Sequence, residues 1–164
     1  MIIIVKNKHT LLCDDFKFTC SVGKGGFSNN KKEGDKKTPR GSYKIGNLYY
    51  RSDRVRKPIT SIKCIKIKKD MGWCNDIKNK LKYNKRIKIN KNIKCEKLYR
   101  RDYKYNYFIP IKYNWHHPKI PNGSAIFIHL TKNYKPTDGC IALAEKDFLI
   151  LLKLVKKNSK IKIN

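Results

Sequence analysis

Apolar and polar residues alternate in short runs through the first half of the chain. Ile2 to Val5, Thr10 to Cys13 and Phe16 to Val22 are separated by Asn7-Lys8 and Asp14-Asp15, both good turn formers, which predicts a meander of two hairpins. Ser42 to Gly46 predicts a further strand that Leu48 to Arg51 continues, and Arg51 to Pro58 is a charged connection. Within Ile62 to Lys68, Ile65 and Ile67 alternate with lysines, the pattern of a strand with one buried face. Met71 to Cys74 reads as a short strand anchored by Trp73. From Asn75 to Asn92 the chain is polar, basic and rich in Asn, which predicts the longest loop. Glu96 to Asp102 predicts one or two helical turns. Tyr107, Ile109, Ile111 and Tyr113 fall on one face of a strand over Tyr103 to Tyr113. Pro110 cannot donate to a ladder, so that strand belongs at a sheet edge or carries a bulge.

The second half holds one clear helix. Phe148, Leu149, Leu151, Leu152 and Val155 make a broad apolar face within Ala144 to Lys157. Glu145 and Asp147 in its first turn and Lys156 and Lys157 in its last match the helix dipole. Ile161-Lys162-Ile163 predicts a last short strand. Many strands and one main C-terminal helix predict an α+β, mainly β fold, and 164 residues without an internal repeat predict a single domain over 1–164.

Composition qualifies this picture. The 40% hydrophobic content supports a core despite 32% charged residues. The formal charge of +28 points first to a polyanion partner such as nucleic acid or an anionic surface. Lys, Ile and Asn are, however, over-used everywhere, no basic block stands apart, and Lys outnumbers Arg, the better phosphate fork. Compositional drift therefore accounts for the charge better than a dedicated nucleic-acid surface, although a basic binding module with an inert thiol stays open. No apolar run reaches the length of a membrane span, and Met1 to Val5 is too short for a signal-peptide core. Of the six cysteines, none forms a C-x-x-C pair, so neither a metal site nor a redox dithiol is expected. Cys13, Cys20, Cys64, Cys74 and Cys95 are expected as free thiols, which leans towards a reducing compartment.

The candidate chemistry lies between the apolar run Gly123 to His129 and the helix. His129 ends a predicted strand, and Cys140, directly behind Gly139, begins the next structured element. A thiol attacks as thiolate, and an imidazole within reach is the commonest way to make one. Gly139 and Cys140 could aim their N–H groups at a developing oxyanion, and a helix starting at the cysteine would favour the thiolate further. On pattern alone, the alternative is a core cysteine beside a core histidine. Gly23-Lys24-Gly25-Gly26 invites a phosphate-cradle reading, but no G-K-[ST] follows, so a turn is expected. His116 and His117 lack ligand-spaced partners and read as loop residues, and His9 sits in a turn.

His129 followed by Pro136-Thr137-Asp138-Gly139-Cys140-Ile141 resembles the signature of YkuD-type L,D-transpeptidases, an upstream His and then Ser/Thr-His-Gly-Cys with an apolar residue. Lys32-Glu33-Gly34-Asp35 with Thr38-Pro39-Arg40-Gly41, Gly72-Trp73-Cys74-Asn75-Asp76, Tyr83-Asn84 and Gly123 to His129 resemble a branch of that family. The resemblance spans Val22 to Ile163. It implies a β-sandwich-like domain with Cys140 as nucleophile, His129 as base and Gly139 with Cys140 as oxyanion donors. The implied substrate is a peptidoglycan stem tetrapeptide, cut at the L,D bond through a thioacyl-enzyme with no metal or organic cofactor. The acyl group passes to a second stem's amine or, in an L,D-carboxypeptidase, to water. A monomer is expected. The family's setting is the cell envelope or periplasm, whereas the free cysteines and missing signal fit the cytoplasm.

Three departures stand out: Asp138 where a second His is usual, Ala142 where Asn or Arg often follows, and a short loop from His129 to Cys140. A carboxylate beside the nucleophile opposes its ionisation unless it points away or meets a cation. Asp138 is therefore expected to face the substrate amine or an arginine such as Arg40. Thr137, Arg40, Lys24 and Trp73 complete the expected substrate wall.

Overall fold

The two predicted hairpins form in the computed structural model, which describes residues 1–164, as strands β1 (Ile2–Asn7), β2 (Thr10–Cys13) and β3 (Phe16–Ser21). Asp14 takes φ +49° in the second turn, a left-handed conformation that Asp tolerates. Two short pieces, β4 (Phe27–Ser28) and β5 (Thr38–Pro39), pair in parallel across the polar loop. The chain continues through β6 (Gly41–Lys44), β7 (Leu48–Tyr50), β8 (Cys64–Lys66) and β9 (Met71–Cys74). Next come β10 (Arg86–Lys88), β11 (Cys95–Lys97), β12 (Tyr107–Pro110), β13 (Phe127–Leu130) and β14 (Ile141–Leu143). Helix α1 (Glu145–Leu154) and β15 (Lys160–Ile163) close the chain.

Ten strands form one sheet in the order β6-β15-β1-β2-β3-β14-β13-β12-β7-β8. One face of it sends Ile3, Leu11, Phe18, Ile109, Ile128 and Ile141 into a core shared with Phe148, Leu151 and Leu152 of α1. A single ten-residue helix cannot cover so wide a sheet, and the sheet curls around it. The curl is far enough that Ile45, just past β6 at one edge, bridges to Ile111, just past β12. The opposite face carries Phe108, Phe127 and Cys140, packed with Trp73 and Tyr105 beneath the three-stranded sheet β10-β9-β11. The fold is α+β and mainly β.

Three expectations are corrected. Residues 95–97 are strand β11, with Glu96 paired to Trp73, because so short a segment gains more from an existing ladder than from nucleating a helix. The Asn-rich stretch is ordered: β10 pairs with β9, and Tyr83 and Asn84 are buried. Strand β12 is internal, between β13 and β7. Pro110 is tolerated because β7 pairs only with Tyr107 and Phe108 and has turned away before the proline.

Candidate active site

Strands β13 and β14 run parallel, with Ile128 opposite Ile141 and His129 opposite Ala142. Alternation then divides their side chains. Ile128, Leu130, Ile141 and Leu143 enter the core on the helix side, whereas His129, Cys140 and Ala142 open on a cavity of about 660 Å³ on the other face. Cys140 immediately precedes β14, so the sheet register carries histidine and cysteine to the same wall.

The Cys140 thiol donates to the Ala125 carbonyl and accepts the Phe127 N–H, both at 3.3 Å. Burial pushes the thiol up to about 12, with the charges of Glu96 and Asp138 adding to the effect and the Phe127 N–H and Lys31 opposing it. His129 Nδ1 lies 2.9 Å from the Leu130 carbonyl, which can only accept, so Nδ1 carries the proton and Nε2 keeps its lone pair. Burial is the main cause that lowers the imidazole to about 4, with the Leu130 carbonyl opposing it and the nearby Lys104 and Arg100 charges adding to it. No hydrogen bond joins His129 to Cys140, and the pair rests as neutral thiol and neutral imidazole. The expected help from a helix N-terminus does not materialise, because β14 stands between Cys140 and α1.

The loop before the cysteine is held by backbone contacts. Gly139 adopts φ +133°, and a Cβ there would meet the Lys37 carbonyl oxygen at 2.9 Å, so no larger residue fits unstrained. Its N–H donates to Thr137 Oγ1 at 3.1 Å, and that hydroxyl donates to the Cys140 carbonyl at 2.6 Å. Thr38 Oγ1 donates to the Gly139 carbonyl and accepts the Gly23 N–H, each at 2.8 Å. Lys24 N–H donates to the Thr137 carbonyl at 2.7 Å, and Thr137 N–H to the Val22 carbonyl at 2.9 Å. The glycine-rich turn is thus a splint for the cysteine loop. The Cys140 N–H itself enters no hydrogen bond.

The family model of the YkuD L,D-transpeptidase catalytic domain matches residues 1–163. The chain belongs to this family. Comparisons with curated proteins and with solved structures returned no match. The family consists of cysteine-dependent peptidoglycan transpeptidases.

Against the family pattern, the expected site residues divide. Thr137, Asp138, Gly139 and Cys140 lead into β14 beside β13, which carries His129, and all but Gly139 line the cavity. The side chains of Arg40 and Lys24 lie outside it, and Arg40 instead sits 5.0 Å above the Phe27 ring, so Asp138 does not meet Arg40. Trp73 is only 2% exposed and packs edge-on against Phe127, leaving no surface for a ligand. Its indole N–H donates to Asn84 Oδ1 at 2.9 Å, the same oxygen that receives the Ala125 N–H at 3.1 Å. Tyr83 and Ser124 donate to Glu33 Oε2 at 2.5 and 2.7 Å. These residues brace the segment leading into β13, which carries the thiol's acceptor. His116 and His117 are exposed loop residues.

Sequence reasoning missed Lys31, Glu96, Arg100 and Tyr105, all of which line the cavity. Glu96 accepts the Tyr105 hydroxyl and lies 3.7 Å from Arg100. Burial raises its carboxyl, with Tyr105 and Arg100 pulling against that and Asp138 and Glu33 reinforcing it. Lys31 adjoins the Glu-Gly-Asp stretch, which was the available signal; Glu96 had none once its segment was read as helix. No group of three His, Cys, Asp or Glu side chains is placed to share a metal ion, and no helix is long and apolar enough to cross a membrane.

Proposed function

We propose that Cys140 is the nucleophile of an acyl transfer on peptidoglycan stem peptides. The thiol leaves the Ala125 carbonyl and gives its proton to His129 Nε2 as the sulfur attacks the carbonyl carbon at the L,D bond. The carbonyl oxygen takes up negative charge against the free Cys140 N–H and, after a small shift away from Thr137, the Gly139 N–H. His129 passes the proton to the departing amine as the C–N bond breaks, leaving a thioester on Cys140. An amine of a second stem then attacks the thioester. Its proton returns through His129 to the sulfur as the C–S bond breaks.

The observation that carries this reading is the convergence of three things on one cavity: a buried thiol, an imidazole with a free Nε2, and an unclaimed amide at the cysteine. The neutral resting pair is compatible with it, because proton transfer accompanies attack and need not precede it. Incubation with a stem tetrapeptide tests it. A cross-linked dimer identifies a transpeptidase, and released D-alanine without dimer identifies the L,D-carboxypeptidase that the same acyl-enzyme supports. The absence of both products with folded protein contradicts the proposal.

A further inference from the structure

Of all the chain's lysines, Lys31 alone is buried, at 6% exposure, and it lines the cavity of Cys140. Two glycines leave room for it. A Cβ at Gly123 would come within 2.9 Å of Lys31 Cε, and a Cβ at Gly139 would lie 3.6 Å from Nζ. Both glycines have positive φ, +96° and +133°, so the backbone forms a slot that delivers the ammonium beside the cysteine loop. Nζ donates to Asp35 Oδ1 at 2.6 Å and to the Lys32 carbonyl at 3.3 Å. An ammonium has three protons, and one is left unclaimed.

Holding the loop does not require this lysine. Asp35 already accepts the N–H groups of Lys32 at 2.8 Å and Lys37 at 2.9 Å, which close the turn without Lys31. These bonds, with the one from Lys31, keep the Asp35 carboxyl below its ordinary range against the effect of burial.

We propose that Lys31 is a positioning residue for the acyl transfer: its ammonium stabilises the negative charge that forms on the Cys140 sulfur. The assignment rests on Cys140 being the nucleophile. It supplies what the distant helix N-terminus cannot. The other groups around the thiol work against ionisation or are neutral. Glu96 on β11 and Asp138 on the cysteine loop are anionic when charged, Glu33 lines the same cavity, and Tyr105 and His129 are buried beside it. Arg100 and Lys104 also line the cavity, where their charges bear on His129. Lys31 is the one cation that lowers the thiol directly among its main influences.

The test is the pH dependence of Cys140 alkylation by iodoacetamide, read by mass spectrometry of its peptide so that the other five thiols do not interfere. Lys31→Met is expected to raise the apparent thiol pKa by about one unit or more, and Lys31→Arg to stay near the parent. Asp35→Asn is expected to lower it, because the ammonium then lacks its counter-charge. A purely structural ion pair predicts that Lys31→Met and Asp35→Asn shift it alike. Equal-signed shifts, or no shift in either, overturn the proposal. If Lys31→Met fails to fold by circular dichroism, Asp35→Asn decides alone, and an upward or absent shift overturns it. No peptide substrate is involved, so this result stands apart from whether Cys140 forms an acyl-enzyme.

Discussion

The backbone N–H of Phe127 donates to the Cys140 sulfur at 3.3 Å. Phe127 lies two residues before His129 on β13, so the proposed nucleophile is fixed to the very strand that carries its proposed base. Removing the sulfur should therefore silence the chemistry and leave the sheet standing. Cys140→Ala is expected to lose about 10³-fold or more in turnover, while circular dichroism and the melting transition stay near those of the parent. Unchanged turnover would remove Cys140 from the chemistry, and a parent without turnover but with steeply salt-dependent polyanion binding would return the protein to the class of basic binding modules.

His129 couples the site to acid stability. The unfolded histidine binds a proton near 6.5, whereas the folded one stays neutral to about 4. Between those values the unfolded state holds more protons, so stability rises with pH and is lost as pH falls through this window. The full effect is about 3 kcal/mol. Urea denaturation at pH 7 and pH 4.5 should show this loss, and His129→Gln should reduce it.

Asp138 faces the cavity with no cation paired to it, and its charge is among the influences that raise the Cys140 thiol. Asp138→Asn is expected to lower the apparent thiol pKa, seen as faster alkylation of Cys140 at a fixed neutral pH. An unchanged rate would remove any electrostatic role for this departure from the family signature.

Thr38 holds the loop behind the nucleophile through a buried hydroxyl shared between Gly23 and Gly139. Thr38→Val keeps the shape and leaves an N–H and a carbonyl unsatisfied, at a cost of about 1–3 kcal/mol. Equilibrium unfolding measures the loss. Turnover should fall as well, because Gly139 is no longer pinned.

Much of this was legible in the chain. Short apolar runs between Ile2 and Val22, broken at Asn7-Lys8 and Asp14-Asp15, gave the hairpins. Order alone singled out His129 and Cys140 with a core pair as the alternative, and the parallel β13–β14 pairing, which the sequence did not announce, puts both on one wall. What escaped reading depends on distant contacts. Glu96 is a strand residue only because β9 offers a ladder, and Pro110 sits inside the sheet only because β7 ends early. Trp73 reads in sequence as a packing anchor that could also line a cleft, and its burial within the second core follows from Phe127 and Trp115, far along the chain. Lys31 is hidden among forty basic residues, and two glycines about ninety and a hundred residues later single it out.

The central claim is that Cys140 alone among six cysteines forms an acyl-enzyme. Intact-mass measurement after exposure to a carbapenem, followed by peptide mapping, reads this directly, since the β-lactam carbonyl acylates the family's nucleophile. One adduct per chain, located on Cys140 and absent from Cys140→Ala, is the predicted result. An adduct on another cysteine, or none on folded protein, contradicts the account.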